Sequence, residues 1–277
     1  MAAWGLSGVV IGRDEEHHLP RTFPFLKRLV DEIIYVDTGS RDRSVELARA
    51  LGCRVLHQPW KDDFSAPKNL AIDQAQYPWI LNVDCDEMVQ ITETTRANLQ
   101  HHCQNPQAYG FAIQIDSVMA DGKSVASQAV RLFRNDPRIR FENPIHESVA
   151  GALYRHWPRH PPRSLDLHLK HFGYQGELNR EKIKRNIAIL RKWHEREPDN
   201  LFGCYKLGTN LLHSGFNREG IFFLQRAFDL ADQAPDKGSY PFLEKLITIL
   251  YQGLTAQGEG EKAAQVLKSV RQWGSSD

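Results

Sequence analysis

The chain of 277 residues, 41% apolar and 25% charged, is long enough for one large domain or two of ordinary size and too apolar to be disordered. Lys and Arg number 35 against 34 Asp and Glu, a net charge of +1, which excludes an overall field steering the protein to nucleic acid or an anionic membrane. No apolar run approaches the roughly 18 residues of a membrane span, and the first residues lack the basic and apolar regions of a signal peptide.

From Leu6 to about His171, short β-branched runs alternate with helical patterns, the signature of a mostly parallel sheet with crossover helices. Leu6 to Gly12 (LSGVVIG) reads as the first strand, and Glu15 to Val30 as a helix with Pro20 and Pro24 as points of interruption. Ile33 to Asp37 (IIYVD) is the second strand, followed by a helix over Arg41 to Leu51 that Ser40 is placed to cap. Arg54 to His57 is a weaker third strand. A helix over Ala66 to Ala75 comes next, with Ser65 as N-cap and Pro67 in its first turn, and then the strand Trp79 to Asp84 (WILNVD).

Thr92 to Cys103 is expected to be helical. Tyr109 to Ile115 and Val125 to Arg134 form two strands joined by a short turn around Asp121 and Gly122, hence antiparallel. Tyr154 to Arg163 (YRHWPRHPPR) gathers Arg155, Arg159, Arg163, His156 and His160 among prolines and reads as a loop that orders over a bound ligand. A last strand over Leu165 to His171 alternates apolar with polar residues.

After Gly176 the period changes to 3.6, with helices over Asn179 to Arg196, Leu201 to His213, Asn217 to Ala231, Tyr240 to Gln257 and Glu261 to Trp273. Gly215 with Leu224 recurs as Gly258 with Leu267, which suggests two copies of a helical hairpin. With fewer than three clear repeats, these are expected to pack on the sheet domain or on a second subunit, the latter implying a homodimer through the helical region. The domains are therefore 1–176 and 177–277. The four cysteines, Cys53, Cys85, Cys103 and Cys204, lie too far apart for a zinc knuckle and read as free thiols.

In an open α/β sheet the ligand binds beyond the carboxyl ends of the strands, and here those ends are polar: Asp14 after the first, Asp37 at the second, Asp84 to Glu87 at the fourth. Each alone also reads as a turn residue or cap. Asp84 and Asp86, two apart where an apolar run stops, suit the hard oxygen coordination of Mg or Mn. Lys68 near a helix start reads equally as a surface residue or as a contact to a base or phosphates. His146 and Glu147 follow a turn, where Glu147 can act as a base toward an acceptor group or pair with a nearby arginine. His171, at a strand end, is a metal ligand or a structural histidine.

These residues, in the stretches VVIGRDEEHHL, VDEIIYVDTGSRDRSVELARALGCRV, WKDDFSAPKNLAI, WILNVDCDEMV, RLFRN, NPIHESV and HFGY, together resemble a family 2 glycosyltransferase of the GT-A fold, in the bacterial subgroup with C-terminal tetratricopeptide-like helices. The resemblance implies an α/β Rossmann-like mixed sheet. It also implies inverting, metal-dependent transfer of a sugar, a hexose by expectation, from a nucleotide-sugar donor, often a UDP-sugar, to a saccharide, lipid-linked or protein acceptor. By position, Asp14, Asp37, Lys68, Asp84 and His146 would bind substrate, Glu147 would be the catalytic base, and Asp84, Asp86 and His171 would hold Mg or Mn. Two alternatives are a nucleotidyltransferase, against which the acidic GRDEEHH stands where a Gly-rich basic loop would be, and an inactive helical-repeat adaptor. The expected location is the cytoplasm, with peripheral attachment at the inner face of the membrane as a further expectation.

Overall fold

The run LSGVVIG forms β1 (Leu6–Gly12), buried along nearly its whole length, and that burial on both faces sets the architecture around it. Its alternate side chains enter two cores: Leu6 and Val10 join one cluster, and Val9 joins another. A central strand of a sheet covered on both faces needs this continuous apolarity. The computed structural model describes residues 4–119, 122–173 and 180–273, in two compact units, Met1–Leu178 and Asn179–Asp277. Asp121, Tyr174, Gly176 and Asn179, used in the sequence reading, lie outside the described residues.

In the first unit β1 is followed by α1 (Leu19–Leu29), β2 (Glu32–Asp37), α2 (Ser44–Ala50), β3 (Arg54–His57), α3 (Ser65–Asp73), β4 (Trp79–Asn82), β5 (Glu87–Gln90) and α4 (Thr95–Cys103). Then come β6 (Gly110–Val118), β7 (Ser124–Arg134), α5 (Ala150–His156) and β8 (Arg163–His171). The eight strands form one sheet in the order β3-β2-β1-β4-β7-β6-β8-β5. β3, β2, β1 and β4 are parallel, β7 is antiparallel to β4 and β6, β8 is parallel to β6, and β5 closes the far edge antiparallel to β8. α1 covers one face with Leu19, Phe23, Leu26 and Leu29, while Ala71 and Ile72 of α3 with Leu153 of α5 cover the other. Pro24 does not break α1: its missing N–H would have bonded the carbonyl of Pro20, in the first turn, so only one bond is lost.

Several expected boundaries move for identifiable reasons. Ser40 caps no helix, because α2 begins at Ser44, where the Asp42 carboxylate accepts from the Ser44 amide at 2.9 Å. Ser65 is the first residue of α3 and its hydroxyl donates to the Asn143 carbonyl at 2.6 Å, while Asp63 accepts from the Ala66 amide at 3.0 Å. Two elements escape the periodicity reading because they are short: β5 runs on directly from the carboxylate turn, and α5 ends inside the basic proline segment.

That segment is consequently not one loop. Tyr154 to His156 close α5 and Arg163 opens β8. β8 then runs a nine-residue course, roughly 26 Å, before His171 reaches the carboxylate edge. The segment lies at the opposite end of the sheet from that edge, which overturns the expectation that it folds over a ligand bound there.

The second unit holds α6 (Arg180–Arg196), α7 (Leu201–His213), α8 (Asn217–Gln233), a 3-10 turn (Lys237–Ser239), α9 (Leu243–Ala256) and α10 (Gly260–Trp273). α7 and α8 cross closely: a Cβ on Gly208 would lie 2.8 Å from the Gly220 carbonyl and 2.7 Å from Leu224 Cγ. Leu224, Leu246 and Leu250 are fully buried in the core of this unit. No helix among the described residues is long and apolar enough to cross a membrane.

Candidate active site

β4 ends at Asn82, and the four residues that follow turn the chain into β5 at the far edge of the sheet, which is brought back against α1. The turn is locked from several sides. The Asp84 amide donates to Glu87 Oε2 at 2.8 Å, and the Glu87 amide to the Asp84 carbonyl at 3.0 Å. Thr22 of α1 donates to the Cys85 carbonyl at 2.9 Å, while the Cys85 thiol, fully buried, donates to the Ile11 carbonyl at 3.3 Å. The two aspartates consequently have fixed and different surroundings.

Asp86 faces β8. Its Oδ2 lies 3.2 Å from His171 Nε2, and its carbonyl accepts from the Phe172 amide at 3.0 Å. His171 Nδ1 lies 3.3 Å from the Ser117 hydroxyl. Burial opposes the charged form of this imidazole, but the hydrogen bond and charge of Asp86 outweigh it and raise its pKa. A Cβ at residue 173 would sit 2.4 Å from Asp86 Oδ2 and 2.7 Å from His171 Nε2, so Gly173 keeps the approach to this pair clear. One carboxylate and one imidazole, with 19% and 18% of their side chains exposed, would give Mg or Mn two ligands, the remainder coming from phosphate and water.

Asp84 faces the other way. Its Oδ1 is 3.3 Å from Lys68 Nζ and its Oδ2 is 2.8 Å from Arg131 Nη2, which also reaches Glu87 Oε1 at 2.8 Å. Lys68 in turn contacts Glu147 Oε1 at 2.7 Å. Burial alone would raise the Asp84 pKa, but Arg131 and Lys68 reverse it and hold the carboxyl well below its usual range. Burial likewise disfavours charge on Lys68, yet Asp84 and Glu147 raise its pKa. Glu87, fully enclosed, is pushed up to about 7 by burial. The expected ligand trio of Asp84, Asp86 and His171 is thus not assembled: among the described residues no group of three His, Cys, Asp or Glu side chains is arranged around one ion, because two cations occupy Asp84.

Glu147 arrives on a segment moulded against α3. The Phe64 amide donates to the Pro144 carbonyl at 2.8 Å, and Asn69 exchanges two hydrogen bonds with the Phe141 backbone at 2.8 and 3.0 Å. Asn143 and His146 adopt φ of 74° and 56°, a conformation costly for residues other than glycine and typical of functional segments. His146 is exposed beside Glu147.

Around Asp37 a cleft of about 430 Å³ is lined by Arg13, Thr38, Arg41, His57 and Trp60 among others. Asp37, buried to 6% exposure, accepts from the Gly39 and Ser40 amides at 3.2 and 3.1 Å, with His57 Nδ1 at 3.4 Å. Asp14 is engaged by backbone and hydroxyl groups at the strand exits. At φ 57° its carboxylate accepts from the Arg41 amide at 2.7 Å and its amide donates to Ser40 at 3.0 Å, so it clamps the β1 exit to the β2 exit.

Of the residues expected from sequence, Asp84, Lys68 and Glu147 form one contact chain, Asp86 and His171 another, and Asp37 lines its own cleft. Arg131, Gly173 and Trp60 carried no expected role, and Glu87 stood only as part of the polar end of the fourth strand. Arg131 had a signal: a lone guanidinium beside Leu132 and Phe133 in a central strand requires a buried counter-charge.

Residues 7–156 match the family model described as glycosyl transferase family 2. A TPR repeat-containing protein of Synechococcus elongatus is 35% identical over 212 residues, 74% of this chain and 52% of that protein. The glycosyltransferase SunS of Bacillus subtilis is 22% identical over 251 residues, 88% of this chain and 58% of SunS. The chain therefore spans little more than half the length of these relatives. Among solved structures, S. aureus TarS 1–349 superposes with a TM-score of 0.54 at 14% identity, covering 97% of this chain and 91% of that one. Glucosyl-3-phosphoglycerate synthase from Mycobacterium tuberculosis gives 0.50 at 13% identity, covering 68% and 78%. Both are likenesses of fold.

Proposed function

The chain belongs to glycosyl transferase family 2, and from that premise we propose that it moves a sugar from a uridine diphosphate carrier to a saccharide, lipid-linked or protein acceptor, with Asp86 and His171 holding Mg or Mn. The observation that carries this reading is the Asp86–His171 pair, 3.2 Å apart although 85 residues separate them in the chain, on the same sheet edge as Asp37. S. aureus TarS, similar in fold, has been crystallised with UDP-GlcNAc and with UDP, which supports uridine diphosphate as the carrier.

The cleft beside Asp37 takes the base, with Trp60 and His57 as its walls. Asp84, with 36% of its side chain exposed, retains lone pairs for a hydroxyl of the donor ribose. A divalent ion held by Asp86 and His171 would supply positive charge against the departing diphosphate. The acceptor oxygen bonds to the anomeric carbon on the face opposite the diphosphate. The bond from that carbon to the diphosphate oxygen breaks with its electron pair on the diphosphate, and the acceptor proton passes to Glu147. His146, exposed next to Glu147, meets the acceptor.

The test is thermal melting of the purified protein with UDP-sugars in the presence and absence of Mn, together with mass spectrometry of candidate acceptors. Stabilisation by donor with Mn is expected, and Asp86→Ala removes its Mn-dependent part. If no nucleotide-sugar shifts the melting or releases its nucleoside diphosphate with either metal, the proposal fails.

A further inference from the structure

Resting on the sugar-transfer reading, we infer that Lys68 is a positioning residue for Glu147, orienting the proton-accepting carboxylate, and makes no contact with the donor. A lysine near a helix start in a nucleotide-binding sheet invites a phosphate or base contact, but its surroundings here leave no room for that. Lys68 is 3% exposed. Its ammonium is committed to Glu147 Oε1 at 2.7 Å and Asp84 Oδ1 at 3.3 Å, and it lies 5.1 Å from the centre of the Phe141 ring. An ammonium has three N–H donors, and two carboxylates with an aromatic face account for them.

The backbone around this contact is built to keep it. Phe64, Ser65 and Asn69 of the α3 region bond to Pro144, Asn143 and Phe141, so the segment carrying Glu147 is cast on the helix that carries Lys68. Lys68 engages one carboxylate oxygen of Glu147 and leaves Oε2 for the acceptor proton. Through Asp84 the same ammonium is tied to the β4 exit, two residues from Asp86. The base is thereby held in register with the turn on which the leaving group is bound. A misplacement of about 1 Å in such an arrangement can cost on the order of a hundredfold in rate.

The experiment uses Lys68→Met and Lys68→Arg with the wild type, each checked by thermal melting. UDP binding with Mn is measured by calorimetry. UDP release from the UDP-sugar that the wild type hydrolyses fastest gives kcat and KM for each protein. For Lys68→Met the expected result is a kcat at least about tenfold lower, with KM and UDP affinity within about twofold of wild type. Lys68→Arg keeps the UDP affinity unchanged, while kcat falls severalfold because a planar guanidinium cannot reproduce the ammonium geometry.

Weakening of UDP binding by about tenfold in either variant overturns the inference in favour of a donor contact. Unchanged kcat in Lys68→Met overturns it in favour of an inert buried pair. Should Lys68→Met fail to fold, Lys68→Arg decides alone: lowered kcat at full UDP affinity supports positioning, and any other pattern refutes it. A wild type that releases UDP from no UDP-sugar refutes the sugar-transfer reading instead, an outcome distinct from an active wild type with donor-weakened variants.

Discussion

Gly173→Ala probes the proposed metal site without replacing either proposed ligand. The new methyl would lie 2.4 Å from Asp86 Oδ2 and 2.7 Å from His171 Nε2, against an ordinary contact beginning near 3.4 Å, so one or both donors must retreat by about 1 Å. Asp86 can rotate, whereas His171 sits on β8 with its ring near Ser117 and Asp86, and the carboxylate therefore gives way. Overpacking of this kind costs about 1 kcal/mol at the low end of its range when a side chain can yield. That corresponds to a melting point roughly 2–4 °C lower for a unit of this size. The effect on function is larger, because a donor pair spread by about 1 Å no longer closes on one ion, and the loss of turnover is on the order of a hundredfold. Calorimetric titration of Mn in the presence of UDP, set beside UDP release, reads both quantities. Wild-type Mn affinity in a folded Gly173→Ala protein would refute the assignment of Asp86 and His171 to a shared ion.

Three further outcomes are expected. Arg131→Met leaves Asp84 and Glu87 without the guanidinium that bridges them at 2.8 Å each and should cost about 3–5 kcal/mol, as breaking a buried pair does; a loss under about 1 kcal/mol in urea unfolding would contradict the buried network. The Asp42 carboxyl has a lowered pKa: slight burial opposes the shift, but the hydrogen bonds from Ser44 and from the Glu16 amide prevail. Its contribution is therefore full above the unfolded value near 3.8 and is lost as pH falls through the folded one. Asp42→Asn should remove that part of the acid dependence, and melting curves of the variant that still parallel wild type below about pH 4 would exclude it. Gly208→Ala should destabilise the helical unit by about 1–3 kcal/mol, since the Gly220 carbonyl at 2.8 Å cannot move aside as a side chain can. A net stabilisation, as alanine's helix preference alone would give, would show that the two helices do not cross so closely.

Local pattern and physical chemistry carried much of this protein. β1, β2 and β4 are legible because a strand buried on both faces must be continuously apolar, and α7 is legible because a helix packed on one side must repeat its apolar residues every turn. The carboxylates at the β2 and β4 exits are legible because strands end where burial ends. What lies between distant segments was not. β5 has only four residues, too few for any period, and it counts as a strand only because β8 lies beside it. Asp84 and Asp86 look equivalent in the chain, two residues apart on one turn. The fold separates them by giving Asp84 two cations from α3 and β7 and giving Asp86 a histidine from β8. Lys68 reads as a surface or donor contact until α3 is seen pressed against the segment that brings Glu147. Charge and polarity are properties of residues and can be read singly, but which charge meets which depends on strand order and register, and these are settled only when the sheet closes.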